Sequence, residues 1–223
     1  FWATGNPGST SIGSSYNVTT RQADPRPGSS GQYSAKLQTT KVVIKLAAGN
    51  IFVGSFGEIL GTAGTVNMGQ PFSFNARPTK LRVWYKGNVG GGDKSRIFVC
   101  LTNMTKPGCT YHTINTKSGE IDKTVLDPTK EFLYTNLQDP STLEGHILGY
   151  GDLLIEQTQS EWTMIEIPIN YRKKYESEKP NVLILTASAS YRGDYFEGST
   201  DSNLFLDDIE FVYEGDYGYV DQE

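Results

Sequence analysis

Two groups of residues in this 223-residue chain have the types and spacing for chemistry. The first is the pair Asp207 and Asp208, set in the apolar run LFLDDIEFVYE at 204–214. Successive side chains of a strand point to opposite faces, so Asp207 is expected on the face of Phe205, Ile209, Phe211 and Tyr213, with Asp208 turned outward. A carboxylate among apolar neighbours is costly unless a cation, hydrogen-bond donors or a reaction accounts for it. A cation or at least two donors are therefore expected on Asp207.

The second group is Tyr191, Asp194, Tyr195 and Phe196 in the turn-rich segment SYRGDYFEGSTDSN. Rings outside a regular strand, with a carboxylate among them, suit a sugar: a ring covers the apolar face of the pyranose while polar groups satisfy its hydroxyls. Trp2 and Asn6 in the opening loop extend this set, as does Trp84 on the polar face of its strand beside Arg82 and Lys86. Taken singly, each ring also reads as packing, with Trp2 and Phe196 plugging the ends of a sandwich and Trp84 lying under a long loop.

Catalysis on sugars needs two carboxylates roughly 5 to 10 Å apart, one as acid and one as nucleophile or base. Asp194 with Asp152 or Glu156 is the candidate pair, although 25 acidic residues place many carboxylates close together by chance on any fold. Other chemistries find no support. GNVGGGDKS lacks the contiguous Gly-Lys of a phosphate loop and no helical pattern follows it. His112 and His146 stand at no zinc spacing. No GxSxG occurs. Arg192-Gly193-Asp194 is a tripeptide that chance produces often, and the sequons at Asn17 and Asn103 have meaning only in a eukaryotic secretory route.

The elements that must position these groups are strands. Thirteen Tyr, 10 Phe, 3 Trp and 24 Gly, without Ala/Leu/Glu/Lys runs, indicate β structure. QYSAKLQT alternates with Tyr33, Ala35 and Leu37 on one face, and RPTKLRVWYKG with Leu81, Val83 and Tyr85 on one face. KVVIKLAAGNIFVGSF reads as an interrupted strand. GNVGGGDKS joins RVWYKG to RIFVCLTN as a hairpin or a longer sheet connection, and residues 1–30 read as extended loop. Eight to ten strands with irregular spacing predict a single all-β domain over 1–223, a two-sheet antiparallel β-sandwich of jelly-roll type. Two stacked smaller sandwiches are the other arrangement considered.

The net charge of −5 without a basic cluster argues against a nucleic-acid partner, and no run approaches the roughly 20 apolar residues of a membrane helix. Cys100 and Cys109 flank NMTKPG and are expected either to pair across a hairpin or to be a core thiol and a loop thiol. A chain that begins Phe1-Trp2 without an initiator Met is expected to have lost a leader or a preceding domain of the same precursor.

FWATGN at 1–6, AAGNIFVGSF at 47–56, RPTKLRVWYK at 77–86, YRGDYFEGS at 191–199 and LFLDDIEFVYE at 204–214 together resemble, in order, the putative carbohydrate metabolism domain family of Bacteroidetes exported proteins. The resemblance implies a jelly-roll sandwich at the periplasm, cell surface or exterior of a bacterium, with a link to glycans. Residues 114–145 look longer than that family would have. QYSAKLQT with FLDDIEF is also similar to jelly-roll carbohydrate-binding modules. In several of these an Asp of the last strand binds structural calcium, which implies a metal role for Asp207 or Asp208.

Three functions are compatible with this reading. The first is a noncatalytic glycan-binding module for a polysaccharide, using Trp2, Asn6, Trp84, Tyr191, Asp194, Tyr195 and Phe196. The second is a glycoside hydrolase or lyase working through Asp194 with Asp152 or Glu156. The third is a structural or adhesive surface domain.

Overall fold

Alternation of apolar and polar residues decides which face each strand turns inward, and KLRVWYKGN shows it: Leu81 and Val83 are buried while Arg82 and Trp84 face out. The computed structural model describes residues 1–43, 45–60, 63–105, 109–113, 126–134 and 140–220. The strands among them are β1 (Trp2–Thr4), β2 (Thr19–Gln22), β3 (Ser34–Gln38), β4 (Thr40–Val42), β5 (Lys45–Ala47), β6 (Asn50–Leu60), β7 (Ala63–Met68), β8 (Gln70–Pro71) and β9 (Lys80–Asn88). Then follow β10 (Ser95–Met104), β11 (Cys109–Thr113), β12 (Phe132–Tyr134), β13 (Leu143–Ile155), β14 (Gln159–Pro168), β15 (Asn170–Tyr171), β16 (Val182–Ser188), β17 (Asn203–Val212) and β18 (Gly218–Tyr219). The count exceeds the sequence expectation because several strands are two- or three-residue pieces at sheet edges.

These strands form a β-sandwich. One sheet has 11 strands with the central order β11-β7-β6-β16-β10-β13-β15-β18, and the other has five, in the order β14-β9-β17-β3-β2. Pairing is antiparallel except between β15 and β18. β4 and β5 make a separate two-stranded ribbon. The strands expected in KVVIKLAAGNIFVGSF are thus a short hairpin followed by β6. The opening 30 residues hold two strands and a short helix, Asn6–Thr10, in place of continuous loop. β9 and β10 lie in different sheets. GNVGGGDKS therefore crosses between the sheets, which excludes the hairpin alternative.

Between the sheets, Leu37, Leu81, Val83, Ile167, Leu204 and Leu206 of the small sheet meet Val53, Ile97, Val99, Leu101, Leu148, Leu183 and Leu185 of the large one. A second apolar cluster lies on the other face of the large sheet, where Phe52, Phe98, Cys100, Ile147 and Ile184 pack with Leu126 and Leu133. Strands buried on both faces lose alternation and become apolar throughout, which accounts for RIFVCL and NVLIL.

Cys100 belongs to this second cluster as a free, buried thiol, and desolvation pushes its pKa far up. Its strand does not pair with β11, which pairs with β7 and sets Cys109 opposite Met68. The Cys109 and His112 side chains, the whole of 114–125 and of 135–139, and residues 106–108 of NMTKPG lie outside the described residues. His146 packs on Tyr175 with ring centroids 4.2 Å apart, and its Nε2 lies 2.9 Å from Glu178 Oε2, a structural arrangement. No helix among the described residues is long and apolar enough to cross a membrane.

Candidate functional site

The segment after β16 is held as a compact turn. A single helical turn over Gly193–Tyr195 is closed by Phe196 in the left-handed region at φ 58, with Gly193 N–H donating to Ser190 O and Phe196 N–H to Gly193 O. Tyr191 N–H donates to Lys94 O, and Ala189 N–H to Gly49 O. The turn therefore stands between the connection before β10 and the one before β6. It packs so close to the latter that a Cβ on Gly193 would lie 2.4 Å from the Ala48 Cβ, so only glycine fits there.

Each ring of the turn carries a cation. The Lys45 ammonium is 4.2 Å from the Phe196 ring centroid, the Arg192 guanidinium 4.6 Å from that of Tyr195, and the Lys94 ammonium 5.9 Å from that of Tyr191. Arg192 is also paired with Glu197, and Lys94 with Glu156.

Beside this turn, on the outer face of the large sheet, Arg96 of β10 binds Asp152 of β13. Arg96 Nε donates to Asp152 Oδ1 at 2.8 Å and its terminal nitrogen to Oδ2 at 2.6 Å, a two-point clamp. Register produces the pair: Arg96 lies opposite Leu154 and Phe98 opposite Asp152, so the two side chains are diagonal neighbours on one face. The guanidinium also covers the Phe98 ring at 4.9 Å. For Arg96, desolvation works to lower its pKa, but the Asp152 carboxylate outweighs it and the net shift is upward.

Asp194 is exposed at the surface, and desolvation nonetheless raises its pKa, with the charge of Arg96 opposing the rise. The sequence candidates Asp194 and Asp152 are thus both within the field of one guanidinium. Glu156 is exposed and turned to Lys94.

Asn6 lies near this face but is occupied. Its Nδ2 donates to Thr19 O at 2.7 Å and its Oδ1 accepts from Thr19 N–H at 2.9 Å. Thr19 Oγ1 in turn donates to Asn50 O, and Asn50 Oδ1 accepts from Gly5 N–H. Asn50 stands opposite Ser188 at the end of β16, so the opening loop and the ring-bearing turn meet on the β6–β16 pair through Asn50 and Ala48.

Trp2 does not join them. It lies opposite Val53, 45% exposed, edge-on to Phe1 in a series of rings that continues through Phe72, Phe74 and Phe211 at the sandwich edge. Trp84 sits on the other sheet, opposite Met164 and Asp207, under the Arg26 guanidinium at 5.0 Å. Arg96, Asn50, Ser188 and Lys45 were not anticipated from sequence. The alternation of RIFVC, which puts Arg96, Phe98 and Cys100 on one face, was the available signal for Arg96.

The aspartate pair corrects the simple alternation. Leu204 and Leu206 face the core, while Asp207 lies opposite Trp84 on the outer face, as Phe205 lies opposite Lys86. The ladder shifts between Asp207 and Glu210, with Asp208 at φ 43, and after this bulge Ile209 and Phe211 pack on the core again. Asp207 therefore does not share a face with Ile209 and Phe211.

Asp207 does accept two backbone donors, Arg26 N–H on Oδ2 and Asp208 N–H on Oδ1, both at 2.9 Å. Arg26 Nε reaches Asp208 Oδ2 at 2.6 Å. A guanidinium and two amides in this place do not fit calcium, which asks for six to eight oxygen ligands. No group of three or more His, Cys, Asp or Glu that could hold a metal occurs among the described residues.

The chain belongs to the family described as the putative carbohydrate metabolism domain, whose model matches residues 1–212. Its fold is similar to that of a putative glycoside hydrolase from Bacteroides thetaiotaomicron, with a TM-score of 0.63 and 21% identity over 96% of this chain and 63% of that one. It is also similar to a putative glycoside hydrolase from Bacteroides vulgatus, with a TM-score of 0.61 and 23% identity over 96% of this chain and 85% of that one. This chain thus spans less than two thirds of the first of these proteins. No curated protein matches it.

Proposed function

We propose that this chain is a glycan-binding module of a bacterial exported or surface protein, and that it holds polysaccharide on the outer face of the large sheet. Tyr191, Tyr195 and Phe196 are the ring contacts, Asp194 and the Arg96–Asp152 pair the polar floor, and the Gly5–Asn6 loop the rim. The observation that carries this reading is the placement of three rings on one hydrogen-bonded turn next to a charged, two-point pair. Rigid rings lose little conformational freedom on binding, and fixed polar groups satisfy sugar hydroxyls. Trp84, on the opposite sheet, is outside this surface.

Affinity electrophoresis and calorimetry against plant, host and bacterial polysaccharides test the reading. Retardation by at least one, weakened in a Tyr195→Ala variant, is expected. Absence of binding across the whole panel would overturn it.

A glycoside hydrolase is the second reading, favoured by the asymmetry of the two carboxyls. Desolvation raises the Asp194 pKa, the direction a general acid requires, while Asp152 is held by a cation. The two similar Bacteroides structures carry the description of putative glycoside hydrolase. Release of reducing ends by the parent and not by Asp194→Asn is the result this second reading requires.

A further inference from the structure

A buried carboxylate that neither functional reading uses sits behind the ring-bearing turn. Asp93, 9% exposed, lies in the connection between β9 and β10. Its Oδ2 accepts three hydrogen bonds: from Ser190 Oγ at 2.6 Å, from Ser202 Oγ at 2.6 Å and from Ser199 N–H at 3.0 Å. Its Oδ1 accepts from Lys94 N–H at 2.7 Å. Ser190 and Ser202 are themselves fully buried. The network reaches further, because Thr39 Oγ1 lies 2.6 Å from Ser190 Oγ and Gly90 N–H donates to Ser202 Oγ at 3.1 Å.

One carboxylate thereby ties both ends of the segment 191–198, the residue before it and the residues after it. The approach is close enough that a Cβ on Gly198, at φ 153, would lie 2.4 Å from Ser190 Oγ and 3.2 Å from Asp93 Oδ2. The turn closed by left-handed Phe196 is too short to have a core of its own. Its own hydrogen bonds and the contact of Gly193 with Ala48 shape its middle, and the buried group that fixes both ends at once is Asp93.

We propose that Asp93 is the positioning residue that gives the 191–197 turn its single shape, and so preforms the ring surface. Its role for glycans rests on the function proposed above, whereas its role for the turn does not. Surface held in one shape before binding avoids the ordering cost of binding, so Asp93 acts on affinity without touching ligand.

Hydrogen exchange of the backbone amides, read with polysaccharide retardation, tests this. Asp93→Ala strands several buried donors, and exchange within 190–202 is expected to rise about tenfold or more while strands β9, β13 and β14 stay within about twofold of the parent. Asp93→Asn keeps an oxygen where the three donors converge and is expected to restore most of the protection and most of the retardation. If Asp93→Ala loosens the whole chain, Ser202→Ala, which removes one donor, is expected to give a smaller rise confined to the same segment. Exchange at 190–202 unchanged in Asp93→Ala, or no more affected than the distant strands in Ser202→Ala, would overturn the inference. A turn that loosens as expected, in a protein whose parent form binds no polysaccharide, would overturn the glycan reading and leave the positioning role standing.

Discussion

Arg96 grips both carboxylate oxygens of Asp152 from the neighbouring strand, and its charge also reaches Asp194 on the turn after β16. One cation therefore serves a β-sheet pair and a loop carboxyl. Replacing Arg96 by Met leaves Asp152 with neither of the guanidinium bonds that satisfy its two oxygens. A loss of about 0.2–1 kcal/mol in urea unfolding is expected, as for an ion pair that water still reaches. The Asp194 pKa should rise further in that variant, because the one influence that lowers it is gone; carboxyl titration by NMR reads this directly.

Asp194 itself gives a pH dependence with a fixed sign. Desolvation raises its folded-state pKa above the ordinary 3.8, with Arg96 opposing. The stability associated with the protonated carboxyl is complete below that ordinary value and is lost as pH rises through the folded-state value. Asp194→Asn, which cannot ionise, is thus expected to be more stable than the parent at pH 7, with the difference vanishing near pH 3. Paired urea melts at the two pH values decide it, and a parent that is the more stable at pH 7 would contradict the desolvated setting.

The two ring groups should separate in binding. Tyr195→Ala removes a ring from the turn and is expected to weaken polysaccharide retention by about two- to thirteenfold, the range of an aromatic contact of about 0.5–1.5 kcal/mol. Trp84→Ala, on the five-stranded sheet, is expected to leave retention unchanged. Equal losses in both variants would place sugar on both sheets.

At Asp207 and Asp208 the Arg26 pairing predicts indifference to calcium. Thermal unfolding in chelator and in millimolar calcium should coincide, and Arg26→Ala should cost about 0.2–1 kcal/mol, as expected for a largely solvent-facing ion pair. A calcium-induced rise of several degrees would restore the ion to this corner.

The sandwich could be read in the sequence because its strands carry local signals. Leu81, Val83 and Tyr85 alternate inward as KLRVWYKG announces, and RIFVCL and NVLIL are apolar on both faces because a second cluster covers the large sheet. The site was legible only in part. The rings of 191–196 stood out by being aromatic in a turn, but Arg96 and Asp152 are 56 residues apart and meet only through the register of β10 on β13. Asp93 gave no signal at all, since its partners Ser190, Ser199 and Ser202 are ordinary loop residues until the chain folds. Trp84 lies on the other sheet from the turn, a separation strand alternation could not show, because a residue on the polar face of a strand belongs to whichever sheet that strand joins.

The bulge has a meaning in chain length. β17 uses ten residues to run from Asn203, opposite Asn88, to Val212, opposite Lys80, while β9 uses nine. Asp208 is the surplus residue. Deleting it should leave Phe205 and Asp207 facing outward and Ile209 and Phe211 facing inward, turning an interrupted ladder into a continuous one. The doubled aspartate marks a place where this fold has room for an insertion of one, and where the shortened chain would keep every apolar residue on its present side.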